Sequence, residues 1–210
     1  MARIDLFRFD WSAFEEFLVN KPDELAAGIC DAIRKDAGPL QKMLKTGELS
    51  ESKIRSLFTA RDWYSRKGRE QQELMDALID ALFTNKVKAL ASLKLEYLAT
   101  ISFFTLYQAT QCEYGIDPDP EYPYLYHLGN YPLRYPGQDR MGEEIEGYSH
   151  GYSLYSPDIV EELFEECDEV REYVEQQGDG ELHDEFMFNL FEPVQAAAQR
   201  GDAIFAWSDT

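Results

Sequence analysis

Apolar residues recur three and four positions apart through most of the chain, which is the spacing of a helix with one buried face. The two ends depart from this pattern. Residues Arg3–Phe9 alternate imperfectly between apolar and polar side chains, and Ala203–Trp207 is a short apolar run after a Gly-Asp turn, so both predict strands. Strands this short are not stable alone, and we expect the two to pair in one small sheet. The sequence therefore predicts an α+β fold that is predominantly α-helical, with short terminal strands forming a small sheet and a long tyrosine- and proline-rich central segment.

Capping residues and prolines predict where the helices of the first half begin. Asp10 precedes a helix that starts near Trp11, and Ser50 precedes a later one. Prolines suited to a first turn start two more, at Pro22 and Pro39. Apolar spacing predicts further helix in the stripe Leu74–Leu82 and in a second stripe that runs from Val87 through Tyr97, Leu98 and Ile101. After it, Phe103–Leu106 is apolar on every side and predicts a buried segment.

The clearest amphipathic helix begins at Ser156-Pro157-Asp158, where a capping residue, a first-turn proline and an acid follow one another, and it ends before Gly178. We expect its apolar positions to be buried together: Val160, Leu163, Phe164, Cys167, Val170 and Val174. The opposite face carries acids: Glu161, Glu162, Glu165, Glu166, Asp168, Glu169, Glu172 and Glu175. Of these, we expect Glu161, Glu165, Glu169 and Glu172 to face water. Pro193 interrupts the next helical pattern and predicts a kink or a restart.

The central segment, residues 107–155, is defined by aromatic residues and prolines. Residues 101–159 contain ten of the thirteen tyrosines and six of the nine prolines. Five prolines between Pro118 and Pro136 exclude a long helix there, and the aromatic content is too high for a disordered segment. A long aromatic loop in a compact domain is typical of a functional surface or a buried scaffold. We expect about half of its tyrosines to pack as a private core.

The excess of acidic over basic residues is confined to the second half of the chain. Residues 1–100 hold 16 Lys and Arg against 16 Asp and Glu, whereas residues 101–210 hold 4 against 24, so the net charge of −20 belongs to the second half. We predict a single domain over residues 1–210, with a charge-balanced helical half (1–100) and an acidic half (101–210). An acidic surface favours solubility or recognition of a basic partner, and repulsion from phosphates argues against direct nucleic-acid binding.

Cysteine usage and hydropathy indicate the compartment. The three cysteines, Cys30, Cys112 and Cys167, are odd in number and widely spaced, which argues against a disulfide framework and against a zinc site. No segment has the uninterrupted apolar length of a membrane span, and the start of the chain lacks the layout of a secretory signal. We therefore expect a cytoplasmic protein without a membrane partner.

No sequence motif with a defined chemistry is present. The chain lacks a dinucleotide-binding fingerprint, a P-loop, a Gly-x-Ser-x-Gly elbow and a His-Glu-x-x-His pair. His127 and His150, with Glu143 or Glu144, are the candidates for a catalytic or metal site, but their spacing is irregular and a structurally bonded histidine is the more common outcome. We predict no catalytic residue, no metal ligand and no cofactor.

The last third of the chain resembles the YfbM-like bacterial domains of unknown function. The resemblance lies in Gly147-Tyr148, in Tyr152-Ser-Leu-Tyr-Ser-Pro-Asp-Ile-Val160, in Leu190-Phe191, in Ala196-Ala-Ala198 and in Gly201-Asp-Ala-Ile-Phe205. Domains of that family tend to start with a short strand that runs into helices, as this chain is expected to do. Pro193, together with Val194-Gln195 in place of an aromatic pair, departs from the family pattern. Because the family has no settled activity, the resemblance informs the fold.

Charge and aromatic content together suggest a binding function. Tyrosine offers a rigid apolar face and a hydroxyl, which suit a partner rich in arginine. The sequence favours a non-enzymatic acidic binding protein, most specifically a bacterial immunity or inhibitor protein that covers a basic site on a toxin partner. The expected partner-binding residues are Tyr122, Tyr124, Tyr126, Tyr131, Glu161, Glu165 and Glu172. Two alternatives stay open: a small enzyme of undefined reaction that uses a tyrosine-lined cleft with His127 or His150, and a structural or regulatory interaction domain.

Overall fold

Helices and one small sheet make up the described part of the chain. A computed structural model describes residues 3–35, 38–59, 78, 95–111, 121–126, 128 and 150–209. The strands are β1 (Arg3–Phe9), β2 (Glu96–Ser102), β3 (His150–Tyr155) and β4 (Ala203–Asp209). The helices are α1 (Trp11–Asn20), α2 (Pro22–Lys35), α3 (Pro39–Thr46), α4 (Glu51–Phe58), α5 (Phe103–Thr110), α6 (Pro123–Tyr126), α7 (Pro157–Gln177), α8 (Gly180–Phe186), a π-helical turn (Met187–Phe191) and α9 (Glu192–Arg200). The predicted α+β, predominantly α-helical fold is confirmed.

The two terminal strands lie at the centre of the sheet. Its order is β2-β1-β4-β3, and all the neighbouring strands are antiparallel. β1 pairs with β4 over its whole length, from Arg3 opposite Asp209 to Phe9 opposite Ala203. Leu6, which is fully buried, faces the hydrophobic core from the middle of β1. The predicted pairing of the two ends of the chain is confirmed.

β2 corrects the prediction of a helix through Tyr97, Leu98 and Ile101. Burial alternates along this strand, with Ala99 and Ile101 buried and the positions between and beside them more exposed. Over so short an apolar run, helical and strand spacings coincide, and hydrogen bonding to β1 decides between them. The chain then enters α5, whose expected burial on every side is also wrong, because Phe104 is 50% exposed.

β3 is a strand where the sequence analysis expected none. It pairs antiparallel with β4, and Tyr155 lies opposite Ile204. Its last three residues, Ser153, Leu154 and Tyr155, are all fully buried. A strand that is buried on both faces lacks the polar alternation by which a half-exposed strand is recognised.

The described elements divide into two compact units. One contains the sheet and α5, α6, α7, α8, the π-helical turn and α9, and the other contains α1 to α4. The single domain over residues 1–210 stays a prediction. In the second unit the predicted caps are confirmed: the Asp10 side chain accepts the N–H of Ala13 at 3.0 Å, and the Ser50 hydroxyl accepts the N–H of Lys53 at 3.3 Å.

The predicted helical stripe Leu74–Leu82 lies mostly outside the described residues. Leu78 is helical and fully buried, as the stripe requires. The part of the second stripe between residues 87 and 94 also falls outside them.

Among the helices of the first unit, α7 supplies the most buried residues to the hydrophobic core. Five of the six apolar residues expected inside, Val160, Leu163, Cys167, Val170 and Val174, are buried, and Phe164 packs against them half-buried. The four acids expected outside, Glu161, Glu165, Glu169 and Glu172, are exposed. The amphipathic assignment is confirmed, and so is the end at Gly178, whose φ of 66° suits glycine. Among the helices of the described residues, none is long and apolar enough to cross a membrane.

Pro193 explains the π-helical turn that precedes α9. Proline lacks the N–H that would bond to the carbonyl four residues earlier. The backbone widens just before it, and the N–H of Glu192 bonds to the carbonyl of Met187 across five residues. The helix therefore continues from α8 into α9 with a local distortion, as the predicted kink requires.

Candidate functional site

The exposed face of α7 is a continuous row of carboxylates. Its exposed acids are Asp158, Glu161, Glu162, Glu165, Asp168, Glu169, Glu172 and Glu175. Within the part of the chain that the structure describes, α7 forms one ion pair, between Arg171 Nη2 and Asp168 Oδ1 at 2.8 Å. The Arg171 guanidinium also lies over the Phe191 ring, 5.0 Å from its centroid, so this cation is already engaged on both sides. The other carboxylates present their charge to solvent.

The row costs α7 some of its own stability. Asp158 in the first turn faces the positive end of the helix dipole, which is favourable. The last turn contains no basic residue, and Glu175 stands there, where the dipole end is negative. Each acid in such a position is unfavourable by about 0.3–1 kcal/mol at low ionic strength. A helix shaped by stability alone would carry lysine or arginine at this end.

Glu166 is the exception on the acidic face, because α6 covers it. Its Oε1 accepts the N–H of Tyr124 at 3.1 Å, and its Oε2 accepts the N–H of Leu125 at 2.8 Å. Burial raises the pKa of Glu166 to about 7, the two backbone hydrogen bonds oppose that rise, and the nearby carboxylates of Glu169 and Glu162 add to it. Both carboxylate oxygens are thus used to hold the first turn of α6.

Tyr155 holds the same turn from the sheet. Its hydroxyl donates to the carbonyl oxygen of Tyr124 at 2.7 Å, and the two rings meet edge to face with centroids 6.1 Å apart. Glu166 and Tyr155 therefore bind the N–H and the C=O of one residue, Tyr124. This arrangement fixes the tyrosine-rich segment to the core where it passes α7, and it uses both carboxylate oxygens of Glu166 as structural hydrogen-bond acceptors.

The expected partner-binding tyrosines take different positions. Tyr126 is 3% exposed and belongs to the core, while Tyr122 and Tyr124 are half-buried and pack against it. Tyr131 lies outside the described residues. Glu161, Glu165 and Glu172 all lie on the exposed row of α7. The structure thus brings the three glutamates together on one surface. The partner-binding role of all seven residues stays a prediction.

The exposed aromatic side chains are ones that the sequence analysis did not select. Among the described residues they are Tyr97 (56%), Phe104 (50%), Tyr107 (41%) and Phe188 (60%). Spacing held a signal for Phe188, since the core positions Phe186, Leu190 and Phe191 of its helix leave residue 188 on the outer face. No comparable signal separated Phe104 from its apolar neighbours.

The described residues do not assemble a catalytic or metal site around the candidate histidines. His127 lies outside them, and so do Glu143 and Glu144. His150 begins β3 opposite Asp209. The described residues contain no group of three His, Cys, Asp or Glu side chains placed to hold a metal ion. Cys167 is buried as expected, and burial raises the pKa of its thiol.

Comparisons with protein-family models, with curated proteins and with solved structures gave no match. The resemblance of the last third of the chain to the YfbM-like domains therefore stays a prediction.

Proposed function

We propose that the chain is a non-enzymatic acidic binding protein, an immunity or inhibitor protein that covers a basic site on a toxin partner in the cytoplasm. The observation that carries the proposal is the row of exposed carboxylates on α7. Glu161, Glu165 and Glu172 lie along it on a helix whose other face is fixed in the core. The free, buried thiols of Cys30 and Cys167 suit a reducing compartment.

A rigid acidic row suits fast recognition of a basic surface. Charges of one sign on a fixed scaffold steer an oppositely charged partner into the encounter complex, and they suppress partners of the same sign. Glu175 in the last turn of α7 is unfavourable for the helix itself, which supports a role of the acidic row in recognition over a role in stability.

The tyrosines contribute to the proposal unequally. Tyr122 and Tyr124 are half-buried and can present an edge to a partner, and Tyr131 stays a candidate outside the described residues. Tyr126 has too little exposed surface to contact a partner while α6 is in place. The proposal therefore rests on the three glutamates.

The test is association kinetics with a partner recovered by pull-down from the native host. Screening shortens the reach of exposed charges from about 10 Å at 0.1 M salt to about 3 Å at 1 M, so association should slow markedly over that range. A triple variant, Glu161→Gln, Glu165→Gln and Glu172→Gln, should lower the association rate at 0.1 M by about tenfold. The matched control is Glu15→Gln, Glu16→Gln and Glu48→Gln, which removes three exposed charges from the other unit.

Equal association rates for the two triple variants would show that net charge, and not the row on α7, governs binding. A small-molecule turnover that His127→Ala or His150→Ala abolishes, and that the α7 triple variant retains, would replace the proposal with the enzyme alternative. A partner that binds with no dependence on salt would favour a structural interaction domain.

A further inference from the structure

A second surface of the sheet-containing unit combines exposed aromatic rings with acids. Phe104 and Tyr107 project from α5, and Phe188 projects from the π-helical turn, each with 41–60% of its surface exposed. The fourth exposed aromatic residue of the described chain, Tyr97, already packs edge-on against Phe7. Exposed apolar groups that cluster within a polar rim are typical of interaction sites.

One hydrogen bond places α5 beside the helix that carries Phe188. Ser102 is the N-cap of α5, and its backbone N–H donates to Oε1 of Glu185 at 3.2 Å. Glu185 and Phe188 are one turn apart on a continuous helix, so the face that carries Phe188 is turned toward the start of α5. Phe104 follows Ser102 by two residues. The two phenylalanines therefore flank this hydrogen bond, and Tyr107 extends the exposed row one turn further along α5.

The rim of this surface is acidic. On the helix that carries Phe188, the exposed neighbours one turn before and one turn after are Asp184 and Glu192. Glu185, which accepts the N–H of Ser102, is half-buried. The sequence has no lysine or arginine between Lys94 and Arg134 or between Arg171 and Arg200, so none of the contributing elements supplies a cation before Arg200.

We infer that Phe104, Tyr107 and Phe188 form a docking surface for a basic amphipathic segment of another protein, with apolar side chains on one face and lysine or arginine at its edges. Charge complementarity selects this occupant, because the acidic rim repels a second copy of this chain, anionic lipid and nucleic acid. Aromatic anchors within a polar rim are the usual layout of a binding site. The inference rests on the proposed function and replaces its expected aromatic anchors, Tyr122, Tyr124, Tyr126 and Tyr131, with side chains of α5 and the π-helical turn.

The probe is a synthetic helical peptide of leucine and lysine, with leucine at positions i, i+3, i+4 and i+7. A second peptide has serine in place of each leucine and the same charge. The leucine peptide should bind the wild-type protein at least about tenfold more tightly than the serine peptide. The double variant Phe104→Gln with Phe188→Gln should abolish that difference and leave the serine peptide unaffected. Both positions are exposed, and a circular dichroism melt checks that the variant is folded.

The α7 triple glutamine variant serves as the charge control, since it should weaken both peptides alike. Unchanged binding of the leucine peptide to the double phenylalanine variant overturns the inference, and salt-dependent binding of both peptides in that case still supports the proposed function. If neither peptide binds, the inference fails together with the proposed preference for basic partners. Wild-type dimers in sedimentation that the double variant dissolves would assign the surface to a second copy and overturn the inference.

Discussion

At the scale of single residues, Glu166 differs from the other acids of α7 because both of its carboxylate oxygens bond to the backbone of α6. Its neighbours Glu162 and Glu169 on the same helix are exposed, whereas Glu166 is half-buried where α6 covers it. The loss of hydration favours the neutral acid more than the N–H groups of Tyr124 and Leu125 favour the carboxylate, and the pKa rises to about 7. The carboxyl group therefore titrates near neutral pH while it holds α6 in place.

Stability should consequently depend on the ionisation of Glu166. Its pKa is raised from 4.5 to about 7, so the folded protein binds more protons than the unfolded chain between these values. The contribution to the free energy of unfolding is fully present below about pH 4.5 and is lost as pH rises through about 7. The loss amounts to about 3 kcal/mol. Denaturant unfolding of the wild type and Glu166→Gln at pH 5 and pH 8 should show wild-type stability falling relative to the variant by about that amount.

Glu172→Gln is the matched control for this titration, because Glu172 is exposed on the same helix and is not one of the carboxylates that raise the pKa of Glu166. Its unfolding free energy should follow the wild type across the same pH range. If the free energy of unfolding changed with pH in the same way for Glu166→Gln and the wild type, the ionisation of Glu166 would have no effect on stability.

The special role of Glu166 could not be predicted from its position in the sequence. Periodicity places it on the acidic face with its neighbours, and only the path of the chain through Tyr124 and Leu125 sets it apart. Phe188 is the opposite case, since the helical spacing of its neighbours already marks it as exposed. A role that follows from the position of a residue on one helix face can be predicted from the sequence. A role that depends on contact with a distant segment cannot.

At the scale of elements, α7 is predicted by its local sequence pattern, and its buried face packs into a core built from distant parts of the chain. Leu163 is fully buried within the core cluster, and the next residues of its face are buried with it. Leu163→Ala should lower the free energy of unfolding by about 2–5 kcal/mol, because a cavity remains where the side chain was. Glu161→Ala, two residues away on the exposed face, should change it by less than about 0.5 kcal/mol. Equal shifts of the thermal midpoint in the two variants would contradict the assignment of Leu163 to the core.

Helix ends were predictable and the two edge strands, β2 and β3, were not, for a physical reason. The caps at Asp10 and Ser50 depend on atoms three residues away, which the sequence shows directly. β2 depends on a partner far along the chain: Arg8 Nε donates to Glu96 Oε2 at 2.9 Å across 88 residues, and Arg8 also lies 3.6 Å from Asp202. The pairing of β1 with β4 was predictable because a short strand is not stable alone, and the sequence predicts one such strand at each end of the chain.

At the scale of the whole molecule, the large negative net charge is a property of the surface that the packing of the core does not require. The first unit closes its core with the sheet, α7 and the helix from α8 to α9, and none of these contacts needs an acidic surface. Apart from acids with structural hydrogen bonds, such as Glu166 and Glu185, the 24 acids of residues 101–210 against 4 basic residues therefore act on solubility, on self-repulsion and on partners.

Self-repulsion gives the whole molecule a measurable response to salt. A net charge of −20 is brought closer together in the folded state than in the unfolded chain, which lowers the free energy of unfolding at low ionic strength. Sodium chloride at 1 M should screen this repulsion and raise the thermal midpoint above its value at 0.1 M. The triple variant Glu161→Gln, Glu165→Gln and Glu172→Gln removes three of the exposed carboxylates on α7, so its midpoint should be higher at 0.1 M and should rise less with salt. A variant midpoint that rises with salt as steeply as the wild-type midpoint would show that the row on α7 does not contribute to the charge repulsion within the folded protein.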